Sequence, residues 1–179
     1  MRRRVDAAGT GRFHAEDGRG NAEDAWPVWH RGEVPAFDPA TWRLRVWGQV
    51  QRTLEWSWDE FVALPSGQRN VDLDCPTKGF TLAGNAWTGV ATREVLSRVS
   101  PLGEASWVIA HGHGDFRAGF SLTAFAGPDA ILATGRNGDP LSPEHGAPVR
   151  LVVPGENFCK SVKWLTGLEF LNKPWPDEV

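Results

Sequence analysis

The sequence contains only two cysteines, Cys75 and Cys159, and no tyrosine among its 179 residues. Two cysteines are too few for a disulfide framework or a four-cysteine zinc site. Their separation also excludes a Cys-x-x-Cys redox pair. A cysteine that carries chemistry in this chain therefore acts without a second cysteine close to it in sequence.

Long hydrophobic runs and a strong excess of one charge are also missing. No apolar run approaches the roughly 20 residues of a membrane-spanning helix, so the sequence predicts no membrane segment. The formal net charge is −3 at pH 7. Nucleic-acid-binding proteins usually carry a basic surface, so we expect no nucleic-acid partner.

The length of the chain fits one domain preceded by a tail. Residues 1–25 are rich in Arg, Gly, Asp and Ala and show no apolar periodicity, which predicts a flexible tail before a domain over residues 26–179. Three arginines follow Met1, but no apolar segment follows them as it would in an export signal. We therefore expect a cytoplasmic protein.

The pattern of the remaining sequence predicts a mixed α+β domain built on small sheets, because short β-prone segments alternate with loops rich in Gly and Pro. Ser57, with Glu60 three positions later, is a capping-box pattern that predicts a short helix ending before Pro65. Asn137-Gly138 predicts a hairpin turn. The predicted strands cover residues 42–48, 70–75, 107–110, 120–122, 130–134, 149–153 and 161–171, and the predicted helices cover 57–65 and 92–99.

Cys75 ends one of these predicted strands and is followed by Pro76, which favours an extended backbone at the cysteine. A thiolate held at a strand end could ligate a metal or attack a substrate. A buried structural cysteine is the alternative. The residue type alone leaves both interpretations open.

Two other groups of residues suggest ligand binding. The His111-x-His113 pattern at a strand end suits a zinc ion if both imidazoles share a face, and a polar loop at a pocket mouth is the alternative. Arg150 and Lys163, with Ser161 and nearby backbone N–H groups, could bind a phosphate-type anion, or they could be solvated charges. Neither a P-loop nor a dinucleotide-binding glycine motif is present.

Several blocks, taken in chain order, resemble the molybdopterin-binding oxidoreductase domain shared by sulfite oxidases and the bacterial methionine-sulfoxide reductase catalytic subunit. The resemblance covers residues 27–171, and its last block is the most specific. The blocks are Val34-Pro35-Ala36-Phe37-Asp38-Pro39 with residues 42–48, Trp58-Asp59-Glu60-Phe61 with Asp72-Leu73-Asp74-Cys75, Trp87-Thr88-Gly89-Val90, and Gly138-Asp139-Pro140-Leu141 with residues 145–154 and 161–165.

The resemblance implies the sulfite-oxidase-type fold and a Mo-molybdopterin cofactor. It implies that Cys75 is the catalytic, molybdenum-ligating residue. It also implies that Lys78 lines the mouth of the site. The residues that it places against the pterin and its phosphate are His30, Arg31, His113, His145, Arg150, Ser161, Val162 and Lys163.

The implied function is a two-electron oxygen-atom transfer on a small oxyanion or sulfoxide-like substrate. Because the chain has no haem or iron–sulfur ligands of its own, we expect a separate electron-transfer partner. A second hypothesis is a module of the same fold that binds the cofactor or another anion without turnover, suggested by the residues after Cys75 and the missing tyrosine. A third is a zinc hydrolase that uses Cys75, His111 and His113.

Overall fold

The computed structural model describes residues 12–14, 26, 28–30, 33–75 and 79–175. These residues form short strands, three short α-helices and two 3₁₀ helices. The strands are β1 (Arg12–His14), β2 (Val28–His30), β3 (Arg43–Gly48), β4 (Leu54–Ser57), β5 (Ser66–Asn70), β6 (Leu73–Cys75), β7 (Phe80–Leu82), β8 (Ala86–Ala91), β9 (Trp107–His111), β10 (Arg117–Ser121), β11 (Ile131–Arg136), β12 (Asp139–Pro140), β13 (Arg150–Val152) and β14 (Gly167–Leu171). The α-helices are α1 (Trp58–Val62), α2 (Thr92–Val99) and α3 (Leu122–Phe125), and the 3₁₀ helices are Pro143–His145 and Phe158–Lys160.

The strands form two larger sheets and two small pairs. The first sheet has five strands in the order β10-β9-β14-β3-β4, and only the β14–β3 pair within it is parallel. In the second sheet β11 pairs with β8, β12 and β13, and β5 pairs with β8, all antiparallel. The small pairs are β1–β2 and β6–β7. This arrangement confirms the predicted α+β class with small mixed sheets.

The main hydrophobic core lies between the two larger sheets and the helices. It takes fully buried side chains from β3 (Leu44), β14 (Leu168), β11 (Leu132), β13 (Leu151) and α2 (Val95). Burying one such side chain contributes about 1.5–3 kcal/mol. This core therefore supplies much of the driving force that holds the second sheet in place.

Strands β11 and β13 of the second sheet are buried on both faces. Because side chains alternate along a strand, Leu132 and Leu151 enter the main core, whereas Ile131 and Val152 enter a second, smaller cluster that also contains Phe158. Arg150, two residues before Val152, is 1% exposed. A cationic side chain therefore lies at the edge of the second cluster rather than in solvent.

Local sequence signals predicted several elements correctly. Ser57 caps α1: its hydroxyl accepts the Glu60 N–H, and the Glu60 carboxylate accepts the Ser57 N–H at 2.8 Å. The predicted helix over 92–99 has the bounds of α2. Asn137 and Gly138 both adopt positive φ, 53° and 93°, between β11 and β12. The hairpin turn is thereby confirmed.

Three predicted strands were wrong in their bounds. Residues 70–75 do not form one strand, because β5 ends at Asn70 and β6 begins at Leu73. Residue 122 belongs to α3, since Ser121 ends β10 and caps that helix, its hydroxyl accepting the Ala124 N–H at 3.1 Å. Of residues 161–171 only Gly167–Leu171 is a strand. Trp164 has a φ of 53°, which interrupts extended backbone.

Two statements on domain organisation remain predictions. Most of residues 1–25 lies outside the described residues, and the described part is β1, which pairs with β2. The boundary at residue 26 is therefore untested.

Within the described ranges, no helix combines the length and the apolar character needed to span a membrane.

Candidate functional site

Arg150 is a fully buried cation held by two polar partners and one aromatic ring. Its Nε donates to the Ser161 hydroxyl at 2.7 Å, and Nη1 donates to the His145 carbonyl at 3.1 Å. The Ser161 hydroxyl in turn donates to the Leu151 carbonyl at 2.7 Å. The guanidinium carbon also lies 4.9 Å from the centre of the Phe158 ring. These contacts hold the side chain in one place, and none of them is with a carboxylate.

Lys163 is a second buried cation, 3% exposed, in the irregular segment before β14. Its Nζ donates to the Glu144 carbonyl, and Nζ lies 5.2 Å from the centre of the Trp164 ring. Gly146 makes this position possible, since a Cβ at residue 146 would lie 2.8 Å from the Lys163 Cβ. The 145–148 and 161–165 segments therefore meet because one of them carries a glycine at the contact.

His145 is a buried, uncharged imidazole between the two segments. Its Nε2 lies 3.3 Å from the Trp26 carbonyl, so Nε2 carries the proton, and Nδ1 accepts from the Ser142 hydroxyl at 2.8 Å. Burial lowers the pKa of His145 to about 4, and the charges of Arg150, Lys163 and Arg136 act in the same direction. The ring is therefore neutral at physiological pH and acts as a donor that fixes Trp26.

Burial also lowers the pKa values of the two buried cations. It lowers the pKa of Lys163 to about 7, with Arg150 as the next cause, and that of Arg150 to about 9, with Arg136 as the next cause. Neither Arg150 nor Lys163 forms an ion pair with a carboxylate in the described ranges. Buried charges are costly unless they are paired. We define Arg136, Arg150 and Lys163 as the cationic cluster. A bound anion can supply the negative charge that carboxylates of the described ranges do not bring to Arg150 and Lys163.

Sequence reasoning missed three residues at this cluster. Arg136 ends β11 and donates from Nε to the buried Asn85 Oδ1 at 2.6 Å. Trp26 stacks on His145 with ring centres 3.8 Å apart. The guanidinium carbon of Arg136 lies 4.7 Å from the centre of the Trp26 ring. The sequence carried one signal for Arg136, because this arginine directly precedes an Asn-Gly turn at the end of an apolar strand. No sequence signal pointed to Trp26.

The fold brings the remaining predicted residues to different places around the cluster. The strand that carries Cys75 contacts the 3₁₀ helix Phe158–Lys160, and the strand that carries His30 contacts Pro143–His145. The side chains of Cys75 and His30, and all of Arg31 and Lys78, lie outside the described residues. The ligand roles predicted for these residues remain predictions.

Val162 and His113 lie on either side of a close backbone contact. Val162 is fully buried. A Cβ on Gly112 would lie 2.3 Å from the Lys163 carbonyl oxygen and 3.1 Å from Val162 Cγ1. His113, the next residue, is exposed. The His111–His113 loop therefore packs on the segment that carries Lys163, and the predicted role of His113 in cofactor binding is untested.

The zinc-hydrolase hypothesis receives no support from the described residues. His111 ends β9 and its Nε2 lies 3.0 Å from the Glu169 carboxylate, whereas His113 lies beyond the strand. Strand geometry therefore does not place the two imidazoles on one face. In the ranges that the structure describes, no group of three or more His, Cys, Asp or Glu side chains could hold a metal ion.

A small-sheet α+β domain with two buried cations, Arg150 and Lys163, is of the class that can bind an anionic cofactor. Comparison with known proteins agrees: residues 31–179 match the family described as the oxidoreductase molybdopterin binding domain. The chain belongs to this family and is a molybdopterin-dependent oxidoreductase domain. The predicted resemblance and the predicted Mo-molybdopterin cofactor are thereby confirmed.

Similar proteins differ in how much of their length this chain spans. It is 34% identical over 157 residues to the uncharacterized oxidoreductase YuiH of Bacillus subtilis (strain 168), covering 87% of this chain and 79% of YuiH. It is 31% identical over 148 residues to the protein-methionine-sulfoxide reductase catalytic subunit MsrP of Xanthomonas axonopodis pv. citri, covering 74% of this chain and 45% of MsrP. It is 32% identical over 168 residues to an NAD(P)H nitrate reductase of Hordeum vulgare, covering 77% of this chain and 19% of that enzyme.

A solved structure shows the same fold. The sulfane dehydrogenase SoxCD from Paracoccus pantotrophus superposes with a TM-score of 0.76 at 23% identity, covering 88% of this chain and 45% of that chain. This likeness supports the sulfite-oxidase-type fold that the sequence predicted.

The residues of the site fit molybdopterin. The cofactor carries a phosphate, and Arg150 and Lys163 are buried cations that have no ion-pair partner in the described part of the chain. Ser161 fixes the Arg150 guanidinium at 2.7 Å. The donor set therefore matches a buried anion.

Proposed function

We propose that this protein is a molybdenum-dependent oxidoreductase that performs a two-electron oxygen-atom transfer on a small oxyanion or sulfoxide-like substrate. The observation that carries the proposal is the pair of buried cations, Arg150 and Lys163. The Arg150 guanidinium lies against Phe158, in the 3₁₀ helix that contacts the Cys75 strand. Two relatives are named for substrates of these two kinds, a protein methionine sulfoxide and nitrate.

In this proposal Cys75 ligates molybdenum through its thiolate, a soft ligand suited to that metal. Arg150 and Lys163 hold the cofactor phosphate, and Ser161 and Val162 present the backbone next to it. His145 holds Trp26 through the backbone carbonyl. His30, Arg31 and His113 complete the cofactor contacts, and Lys78 lies at the mouth of the site.

The chain contributes binding, orientation and fixed positive charge. When bound, the cofactor supplies a metal that exchanges two electrons with the substrate. The hydrogen bonds that hold Arg150 to Ser161 and to the His145 carbonyl keep its charge in place. Preorganised charge in a site with little water acts more strongly than the same charge in solvent. These residues therefore favour an anionic cofactor without further rearrangement.

We also propose a separate electron-transfer partner and a cytoplasmic location. Two cysteines are too few to bind an iron–sulfur cluster through cysteine ligands, so a separate carrier would exchange electrons with this chain. An electron-transfer assay with fractionated redox proteins tests the proposed partner. Fractionation of cells tests the proposed cytoplasmic location.

Analysis of the molybdenum content tests whether the protein is a molybdenum-dependent oxidoreductase. Protein made in a host that synthesises molybdopterin should contain molybdenum close to one atom per chain. Its absence would reject the proposed oxidoreductase.

The Cys75→Ser variant tests the role of the thiolate. We expect it to lose reduction of sulfoxide and oxyanion substrates with a dye donor by at least about 100-fold, because the serine oxygen is a harder ligand than a thiolate. Circular dichroism and bound pterin should persist. Cys159→Ser is the matched control, since Cys159 is exposed, and it should keep its activity.

The second candidate function is a cofactor- or anion-binding module without turnover. The residues after Cys75 and the missing tyrosine favour it. Holoprotein that contains molybdenum but reduces none of a panel of sulfoxides and oxyanions, with several dyes as donors, would support the module over the enzyme.

A further inference from the structure

The indole of Trp26 lies in the cofactor site with a buried N–H that has no acceptor. Nε1 is inaccessible to solvent, and it has no hydrogen-bond partner in the described part of the chain. The ring is nevertheless tightly placed: it stacks on His145 at 3.8 Å and meets the edge of Trp87 at 5.5 Å. Buried donors without acceptors are rare in native proteins. An ordered, unpartnered donor therefore points to a ligand.

Two guanidinium groups lie close to the same ring. The Arg136 carbon is 4.7 Å from the ring centre and the Arg150 carbon is 5.4 Å from it. Arg136 is itself fixed, since Nε donates to Asn85 Oδ1 at 2.6 Å and the Asn85 amide donates to the Leu82 carbonyl. An oxyanion attracted to these two cations would lie within reach of the indole.

Two other tryptophans provide a comparison. Trp42 and Trp107 also have buried N–H groups without a partner in the described residues. Trp42, however, packs against Trp58 and Phe61 at 5.4 Å in the main core, and Trp107 begins β9 in the first sheet. Trp26 differs from both because cationic side chains of the site surround it.

We propose that Trp26 is a ligand-binding residue of the molybdopterin site, whose indole N–H donates to an oxyanion of the bound cofactor. In this arrangement Arg136 is a positioning residue: held by Asn85, it keeps the indole against His145. The proposal rests on molybdopterin as the ligand, and it extends the site to Trp26, Asn85 and Arg136.

Cofactor release from the holoprotein tests the proposal. Trp26→Phe keeps a stacking ring and removes the N–H, and Trp107→Phe removes an unpartnered N–H away from the site. The measurement is the rate at which pterin is released at a fixed temperature, read by fluorescence of the oxidised pterin. We expect release about tenfold faster for Trp26→Phe, the effect of losing one hydrogen bond to a charged acceptor, and an unchanged rate for Trp107→Phe. Equal rates in the two variants would overturn the proposal.

A double-mutant cycle tests the positioning role of Arg136. Arg136→Met keeps the apolar stem and removes the guanidinium, so release should again be faster. If Arg136 acts through the indole, Trp26→Phe combined with Arg136→Met should release pterin more slowly than the product of the two single effects predicts. Multiplicative effects would show that Arg136 acts independently of Trp26 and would overturn its role.

Inorganic phosphate separates this proposal from the proposed function. Calorimetric titration of cofactor-free protein should show phosphate bound more weakly by Trp26→Phe than by wild type or Trp107→Phe. Faster pterin release with unchanged phosphate binding would overturn the oxyanion as acceptor. If wild type contains neither pterin nor molybdenum, the cofactor assignment fails, and the phosphate titration still decides whether Trp26 is an oxyanion donor.

Discussion

Two buried cations at the centre of the site, Lys163 and Arg150, lower the stability of the cofactor-free protein. Lys163 and Arg150 are 3% and 1% exposed and have no carboxylate partner in the described ranges. A buried cation without a counter-ion destabilises the folded state, whereas a bound anion removes that penalty. We therefore interpret these two charges as ligand-binding groups that make no favourable contribution to the stability of the cofactor-free protein.

Lys163→Met should separate stability from cofactor binding. Methionine retains an apolar stem and removes the charge, and loss of the hydrogen bond to the Glu144 carbonyl offsets only part of the gain. We expect the free energy of unfolding of the cofactor-free protein at pH 6 to rise by about 1–2 kcal/mol, and molybdenum content to fall to a few per cent of wild type. Denaturant titration and metal analysis measure the two.

The control for this variant is Lys173→Met, which replaces an exposed lysine. It should change neither quantity. A Lys163→Met protein that keeps the molybdenum content of wild type would contradict the role of Lys163 in holding the cofactor.

Among the elements, two loops form the site together with the strand ends that carry Arg136 and Arg150. Residues 145–149 and 161–165 come together through the Trp164 N–H, which donates to the Gly146 carbonyl at 3.2 Å, and the Leu165 N–H, which donates to the Val149 carbonyl at 2.9 Å. Gly146 has a φ of 105° and leaves no room for a Cβ beside Lys163. This contact between the two loops therefore requires glycine at position 146.

Gly146→Ala should damage the site more than a comparable glycine substitution elsewhere. We expect it to destabilise the protein by about 2–4 kcal/mol, because backbone strain adds to overpacking, and to lower molybdenum content at least tenfold. Thermal unfolding and metal analysis measure both effects.

Gly155→Ala is the matched control, since Gly155 also has positive φ, 79°, and nothing lies within 4 Å of the Cβ position. It should show the strain alone, about 1 kcal/mol, with normal molybdenum content. Equal molybdenum loss in both variants would show that contact with Lys163 is unimportant.

At the scale of the whole molecule, the site is coupled to the stability of the domain, because strands β11 and β13 of the second sheet are buried on both faces. Leu151 packs in the main core, while Arg150 and Val152 on the same strand lie on the side of the site. Opening that face would expose part of the second cluster, which contains Phe158. Cofactor binding is therefore expected to stabilise the domain as a unit.

Protonation should destabilise the cofactor-free protein in two pH ranges. The pKa of His145 falls from 6.5 to about 4 and that of Lys163 from 10.5 to about 7 on folding. Between the two values of each group the unfolded state binds more protons, so stability rises with pH. We expect an increase from pH 4 to 6.5 for His145 and from pH 7 to 10.5 for Lys163, each limited to about 1.4 kcal/mol per pH unit.

The measurement is the free energy of unfolding across pH for wild type, His145→Gln and Lys163→Met. Comparison of the variants with wild type separates the contributions of His145 and Lys163 from those of the carboxylates. His145→Gln should flatten the lower range and Lys163→Met the upper one. Bound cofactor should reduce the upper slope, because a nearby phosphate keeps Lys163 protonated. A wild-type slope no steeper than that of His145→Gln below pH 6.5 would contradict the buried neutral imidazole.

Predictions from the sequence succeeded where the cause is local. The Ser57–Glu60 capping box, the bounds of α2 and the Asn137-Gly138 turn depend on residues a few positions apart. They failed for residues 161–166, where a strand was expected. Val162, Trp164 and Leu165 of that segment bond to residues 151, 146 and 149 without forming a strand, and contacts between distant segments leave no local pattern.

The sequence by itself determined the family and the cofactor, and it singled out Arg150 and Lys163 as candidate anion-binding residues, because these depend on residue types and spacings that the chain carries directly. Only the tertiary structure decided that Arg150 and Lys163 are buried without carboxylates in the described part of the chain. It also brought Trp26, Asn85 and Arg136 to them. Burial and long-range contact determine the energy of a charge, and both arise from packing between segments distant in sequence.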